Sequence, residues 1–378
     1  MKIAMLGIYG GINRDFNPGN VMISYYTMKE IKRRIVGVEM DIFSLDFSIR
    51  QCIERNACFV GTPFQMEMTF FSYDRIDEIC DMFVDRYDAV ILGGDIVIGM
   101  SDAFFLKRLH GKEKRPKIIM NVVSTLWRPQ LISEMQKENI KRLSEICDYI
   151  SVREKYVEVL FRECGVENEI YLVPDPVLLH KKNEWPVADN VLGLIEMCKM
   201  PEKKIVGISE CFLKEKDVVE ALIKSSIIRD YSVVFFSYSK RYEHSEQAKK
   251  YRNILGKHCK YIFEYLSPWE TFSLIENFDL CIGNAYHCCM ASLTSGRAFI
   301  GLDPSPFCDS RHTDMIYDKE KMSKHIIKTE VINNDNSGQS LQKRLEQYIQ
   351  NELDSSFDLD MERSLIQEHF DRMCDILR

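Results

Sequence analysis

His287 stands in the run Phe278-Asp279-Leu280-Cys281-Ile282-Gly283-Asn284-Ala285-Tyr286-His287, where an apolar strand gives way to a glycine, a short turn and a helix. An imidazole in the first turn of a helix, at the carboxyl end of a strand, can contact an anion or pass a proton near neutral pH. A structural histidine with satisfied nitrogens is the alternative for the same spacing. The adjoining pair Cys288-Cys289 invites thiol chemistry, but neighbours on a helix point about 100° apart, so His287 and Cys288 do not form a dyad easily. Small buried residues are the preferred reading for both cysteines.

Three further segments carry polar groups at places where strands end. Asn17-Pro18-Gly19-Asn20 follows the first strand and precedes a long helix. Asn20 is placed to cap that helix, whose free amides make a site for an anion or a hydroxyl, and a plain N-cap is the alternative. The segment is not G-x-G-x-x-G, so no dinucleotide fingerprint is present. Gly93-Gly94-Asp95 closes the strand Ala89–Leu92, where glycines allow close backbone approach to a ligand and Asp95 is expected to face a cleft; a tight turn alone is the other possibility. In Ile150-Ser151-Val152-Arg153-Glu154, Arg153 is a candidate fixed cation at the cleft mouth, against a structural pairing of Arg153 with a carboxylate.

The elements that position these groups are short apolar runs alternating with amphipathic stretches, the pattern of parallel sheets with helices on both faces. Strands are expected at Lys2–Leu6, Ala89–Leu92, Ile118–Val123 and Tyr149–Val152, and then at Lys204–Ile208, Ser232–Phe236, Tyr261–Phe263, Leu280–Ile282 and Ala298–Gly301. Pro174-Asp175-Pro176 interrupts pairing between the sets and marks a crossing. The reading is therefore α/β, with two Rossmann-like doubly wound domains over 1–176 and 177–378, the last helix being free to pack back on the first domain. The polar stretch Ile332–Gln339 reads as a loop followed by two helices.

Whole-chain numbers exclude several classes. At 378 residues the chain suits two domains, and 46% hydrophobic with 28% charged residues is a globular composition. A net charge of -7 supplies no general field for a nucleic-acid partner. No apolar run reaches the roughly 20 residues of a bilayer helix, so no membrane span is expected. The 13 cysteines are odd in number and contain no C-x-x-C pair, which points to reduced thiols in a cytoplasmic protein and to no metal site.

In order and spacing, these segments resemble the polysaccharide pyruvyl transferase family, as islands from Asn17 to about Leu302. The family's N-x-G-D/N helix start matches Asn17–Asn20, its strand-ending glycines match Gly93-Gly94, its V-S-V-R-D/E matches Ser151–Glu154, and its L-R-E-x-G-V matches Arg162–Val166. Its x-D-P turn matches Pro174-Asp175-Pro176, and its D-x-x-I-G-x-R-L-H matches Asp279–His287. The resemblance implies a GT-B-like pair of domains that transfers pyruvate from phosphoenolpyruvate to a sugar as a ketal, in making a cell-surface polysaccharide such as a capsule or exopolysaccharide. His287 would then be the catalytic or phosphate-contacting histidine, phosphoenolpyruvate a co-substrate, and no further cofactor needed.

The chain departs from the pattern at two cations: R-L-H reads Ala285-Tyr286-His287, and G-V-S-L-R reads Gly207-Ile208-Ser209-Glu210-Cys211. The family lysine after the next strand is also not evident in Asp303-Pro304-Ser305-Pro306-Phe307. Donor contacts are accordingly assigned to Ser209, Gly283, Asn284, Arg297, Arg311 and His312, the last three restoring positive charge. Acceptor contacts are assigned to Asn17, Gly19, Asn20, Gly93, Gly94, Asp95 and Arg153. Two other functions stay open: a GT-B-like glycosyltransferase using a nucleotide sugar, and a non-catalytic sugar-binding relative. A homo-oligomer is compatible with any of the three.

Overall fold

The computed structural model describes residues 1–6, 18–45, 68–71, 75–95, 102–125, 132–200, 202–209, 215–238, 249–250, 252–256, 259–262, 266–303, 312–328 and 337–378. They form two parallel sheets. The first contains β1 (Lys2–Leu6), β2 (Glu39–Leu45), β3 (Met68–Phe71), β4 (Ala89–Asp95), β5 (Lys117–Ser124), β6 (Tyr149–Val152) and β7 (Tyr171–Leu172), in the order β3-β2-β1-β4-β5-β6-β7. The second contains β8 (Lys204–Ile208), β9 (Tyr231–Phe236), β10 (Cys259–Ile262), β11 (Leu280–Gly283), β12 (Ala298–Asp303) and β13 (Ile326–Lys328), in the order β10-β9-β8-β11-β12-β13.

Each order reverses beside its first strand, between β1 and β4 and between β8 and β11. That reversal is the Rossmann topology, and it opens a crevice at the carboxyl ends of the two strands involved. Central strands such as Leu280–Gly283 are buried at every position, which explains why they read as continuous apolar runs. Ser133 and Ser267 start the helices Glu134–Glu145 and Pro268–Glu276 with full capping boxes.

The chain divides into two compact units. One holds β1–β7, most of the helix Pro18–Arg34, and Asp360–Arg378; the other holds Gly19 and His180–Leu359. The division falls after Leu179 instead of 176, and the helix Asp360–Leu377 belongs to the first unit. Of the loop expected at Ile332–Gln339, residues 332–336 lie outside the described residues, and a helix already begins at Ser337.

In the first unit β5 carries a bulge. Val122 has φ 48°, a left-handed conformation that a β-branched side chain rarely adopts, and the ladders to β4 and β6 both shift register around it. Ser151 stitches the bulge: its Oγ accepts from Val122 N at 2.8 Å and donates to the Met120 carbonyl at 3.1 Å. Next to it runs a buried chain of hydrogen bonds. Tyr149 Oη donates to His369 Nδ1 (2.8 Å), His369 Nε2 donates to Asn121 Oδ1 (2.7 Å), and Asn121 Nδ2 donates to Thr27 Oγ1 (2.8 Å).

That chain uses one donor and one acceptor on the ring, the inventory of a neutral imidazole. Burial pushes His369 down to about 3, with Arg34 and Arg372 acting in the same direction. A base whose folded value lies below its unfolded value of about 6.5 gives its full stabilisation above that pH. The stabilisation is lost as pH falls from about 6.5 toward 3, at up to ~1.4 kcal/mol per pH unit. The melting temperature of wild-type protein should therefore drop more steeply over that window than that of His369→Gln, measured by calorimetry at matched ionic strength.

Candidate functional site

The second unit brings several of the expected residues together at the carboxyl edge of its sheet, where the strand order reverses. Ser209 follows β8, and its N–H donates to the Ile282 carbonyl of β11 at 2.8 Å. Its hydroxyl lies so close to Gly283 that a Cβ on that glycine would sit 2.0 Å from Ser209 Oγ. Only a glycine at the end of β11 admits this approach.

Beyond Gly283, Asn284 and Ala285 turn the chain into the helix Tyr286–Thr294, all nine residues of which are buried. A helix buried on every side is a core helix, which suits its Cys, Met, Ala and Leu content. Cys281 and Cys288 bring their Sγ atoms to 3.3 Å, and burial raises Cys289 well above the ordinary thiol range. A buried thiol raised in this way is a poor nucleophile, and burial of both Cys288 and Cys289 fits a small-residue role for the pair.

His287 is 2% exposed. Gly19 lies directly against it: a Cβ there would meet Nδ1 at 2.0 Å, Cγ at 2.1 Å and the histidine's own Cβ at 2.7 Å. The ring of Tyr286 stands edge-on to His287, with centroids 5.0 Å apart, and edge-on to His312 at 5.8 Å. His312 in turn places Nδ1 3.6 Å from Oδ1 of Asp303, the last residue of β12.

Several polar atoms of this group are buried with no hydrogen-bond partner among the described residues. They are Ser209 Oγ, Asn284 Oδ1, and both ring nitrogens of His312. A buried polar atom without a partner costs roughly 1–3 kcal/mol, so a cluster of them on one sheet edge is chemically suited to a polar ligand. Among the described residues of this group, the ionisable side chains apart from the cysteines and Tyr286 are the imidazoles of His287 and His312 and the carboxylate of Asp303.

Other expected site residues fall elsewhere. Arg297 precedes β12 and so lies at the amino end of the sheet, with Nε donating to the Glu276 carbonyl at 2.8 Å. A residue on the entering side of a parallel strand cannot reach the carboxyl edge, which removes Arg297 from the donor contacts. Arg153, with its side chain fully buried, donates to Asp175 Oδ2 at 2.5 Å and Glu154 Oε1 at 3.1 Å. Glu154 Oε1 also accepts from Ser124 Oγ at 2.9 Å, and Asp175 Oδ1 from Val177 N at 2.9 Å. The structural Arg–carboxylate pairing is thus what the fold uses, locking the segment Ile150-Ser151-Val152-Arg153-Glu154 to the Pro174-Asp175-Pro176 turn.

On the first sheet, Gly93 pairs with Asn121, and Gly94 and Asp95 continue β4 instead of forming a turn; Asp95 pairs with Ser124. The first helix begins at Pro18, so Asn20 sits inside its first turn and is not the N-cap. Proline is favoured at that first position, where its missing N–H is no loss. Asn20 is 5% exposed with Oδ1 unpartnered. Asn17 and Arg311 lie outside the described residues. Tyr286 and Asp303 were not anticipated, though an acid ending a buried strand, as Asp303 does, is a readable signal.

No group of three or more His, Cys, Asp or Glu side chains suited to a metal ion is found among the described residues, and no helix among them is long and apolar enough to cross a membrane. Solved structures share the fold over essentially the whole chain. UDP-GlcNAc 2-epimerase from Neisseria meningitidis, bound to UDP-GlcNAc, aligns at a TM-score of 0.63 and 11% identity, covering 100% of this chain and 99% of its own. The Methanocaldococcus jannaschii UDP-GlcNAc 2-epimerase aligns at 0.60 and 13%, covering 92% of each chain. Anabaena HepE in complex with UDP-glucose aligns at 0.57 and 10%, covering 99% of each.

At these identities the likeness concerns the fold, two Rossmann-like domains of GT-B type. No curated protein matches the chain. The model of one family, polysaccharide pyruvyl transferase, matches residues 17–306, a span that holds the Gly19 contact, the Arg153 lock, Ser209 and the strand, turn and helix carrying His287. With most of its length matched in this way, the chain belongs to the polysaccharide pyruvyl transferase family.

Proposed function

We propose that this protein transfers the pyruvyl group of phosphoenolpyruvate to two hydroxyls of a sugar, forming a ketal on a cell-surface polysaccharide or its precursor. The observation that carries the reading is the place of His287, in the first turn of a helix that starts at the sheet reversal, beside buried unpartnered polar atoms. In the reaction the vinyl methylene gains a proton and becomes a methyl group. Two sugar oxygens bond to the carbon that held the phosphate, the C–O bond to phosphate breaks, and the second hydroxyl proton leaves with the phosphate or a base. An acid near the methylene and donors around the leaving phosphate are what this chemistry requires.

In this scheme His287 is the acid or the phosphate contact, Ser209, Gly283 and Asn284 line the donor together with Arg311 and His312, and Asn20 or Asp95 serves the acceptor. The reaction needs no metal and no further cofactor, and it would run in the cytoplasm, where phosphoenolpyruvate is made. The nine described cysteines are buried thiols, which accords with a reducing compartment.

Transfer from a nucleotide sugar is the competing reading. It is favoured by Ala285 standing where the family carries arginine, and by a fold shared with proteins solved with UDP-GlcNAc and UDP-glucose. Incubating the purified protein with a panel of sugar acceptors separates the two. Inorganic phosphate release and a pyruvyl mass increment from phosphoenolpyruvate are expected; release of a nucleoside diphosphate from a nucleotide sugar, with none from phosphoenolpyruvate, would overturn the proposal.

A further inference from the structure

The geometry points to a second phosphate-contacting imidazole: His312, oriented by Asp303 and seated against Tyr286, binds the phosphoryl oxygens of the donor in place of the absent arginine. This deepens the donor site just proposed and assigns Asp303 and Tyr286, which have no role in the scheme above. The first observation is burial without satisfaction. His312 is 3% exposed, yet neither ring nitrogen has a hydrogen-bond partner among the described residues. A core histidine settled in its fold would hydrogen-bond at least one of them.

The second observation is the company the ring keeps. Asp303 Oδ1 lies 3.6 Å from Nδ1, and both ring nitrogens donate only in the imidazolium. A carboxylate on one side and a phosphoryl oxygen on the other is the partner set of an imidazolium, much as a carboxylate orients a metal-bound histidine from behind. The third is position. His312 Cδ2 would lie 3.7 Å from a Cβ at Gly301, on the strand next to β11, and one tyrosine ring touches both His312 and His287. The two imidazoles thus flank a single residue, Tyr286, which takes the place next to the lost arginine.

The shared chemistry, a phosphate ester, could come from phosphoenolpyruvate or from a nucleotide sugar, and the test distinguishes them. Phosphoenolpyruvate and UDP-N-acetylglucosamine are each titrated calorimetrically into wild type, His312→Gln, Asp303→Asn and Asp303→Glu. A charge-assisted contact of this kind is worth about 10- to 100-fold in affinity. His312→Gln is expected to weaken phosphoenolpyruvate binding by at least tenfold with an unchanged melting temperature in the absence of ligand. Asp303→Asn should weaken it at least threefold, and Asp303→Glu should recover part of that loss, which a merely structural carboxylate would not do.

Wild-type affinity in a folded His312→Gln protein overturns the subsite. Should His312→Gln fail to fold, Asp303→Asn decides: binding equal to wild type overturns it equally. If UDP-N-acetylglucosamine binds with affinity that depends on His312 and phosphoenolpyruvate does not bind, the subsite stands and the pyruvyl reading falls. If wild type binds neither, both fall.

Discussion

Replacing His287 with alanine is expected to slow pyruvyl transfer by about 10²–10⁴-fold, the usual cost of losing a positioned proton donor. The way the loss divides between kinetic parameters identifies the role. An acid that protonates the methylene acts only in the transition state, so its removal lowers kcat and leaves the KM for phosphoenolpyruvate nearly constant. A histidine that mainly holds the phosphate would raise KM as well. Because His287 is 2% exposed inside a fully buried helix, the alanine protein also carries a cavity. Its melting temperature belongs in the same experiment, with His287→Gln as the volume-matched control. A protein that melts normally and loses less than tenfold would remove His287 from the chemistry.

Gly19→Ala is expected to cost nearly as much, for a steric reason. In a helix interior, alanine is favoured over glycine by about 1 kcal/mol, so the exchange should on propensity alone be harmless or stabilising. At Gly19 the new methyl would lie 2.0 Å from His287 Nδ1 and 2.7 Å from its Cβ, separations that real atoms do not keep. Rotating the ring cannot relieve a clash with the Cβ, so either the start of the helix Pro18–Arg34 or the imidazole must be displaced. Activity should fall about 10²-fold or more with helix content by circular dichroism unchanged, a 1 Å misplacement being enough for such a loss. Gly193→Ala is the control, since that glycine lies in the helix Asp189–Cys198 with nothing within 4 Å of its Cβ position. Wild-type turnover in Gly19→Ala would mean that this contact does not matter to catalysis.

The carboxyl edge of the second sheet is the most legible part of the chain. Leu280–Ile282 is short, apolar and followed by Gly283, a polar turn and a helix, so strand direction alone fixes which edge His287 occupies. Strand direction equally excludes Arg297, since an arginine that precedes a parallel strand sits at the opposite edge. Arg153 was ambiguous for a different reason. Its partners Glu154 and Asp175 are one local and one distant in sequence, and only the packed fold decides whether a carboxylate or a ligand takes the guanidinium. β2, Glu39–Leu45, is not legible as a strand because charged and polar residues interrupt its apolar ones, and β7 and β13 are too short to carry a periodicity. The cap at Asn20 moved because Pro18 is as good a first helical residue as Asn20 is a cap, and local propensity does not choose between them.

The return of Asp360–Leu377 to the first unit has a consequence for biosynthesis. His369 completes the hydrogen-bond chain among Tyr149, Asn121 and Thr27, and Arg34 pairs with Asp371 at 2.7 Å, so β5, β6 and the first helix stay unfinished without that segment. Domains usually mature on the ribosome in the order in which they are translated. Here residues 180–359 leave the exit tunnel before the last piece of the earlier unit does, so the part translated first is the part whose folding is completed last.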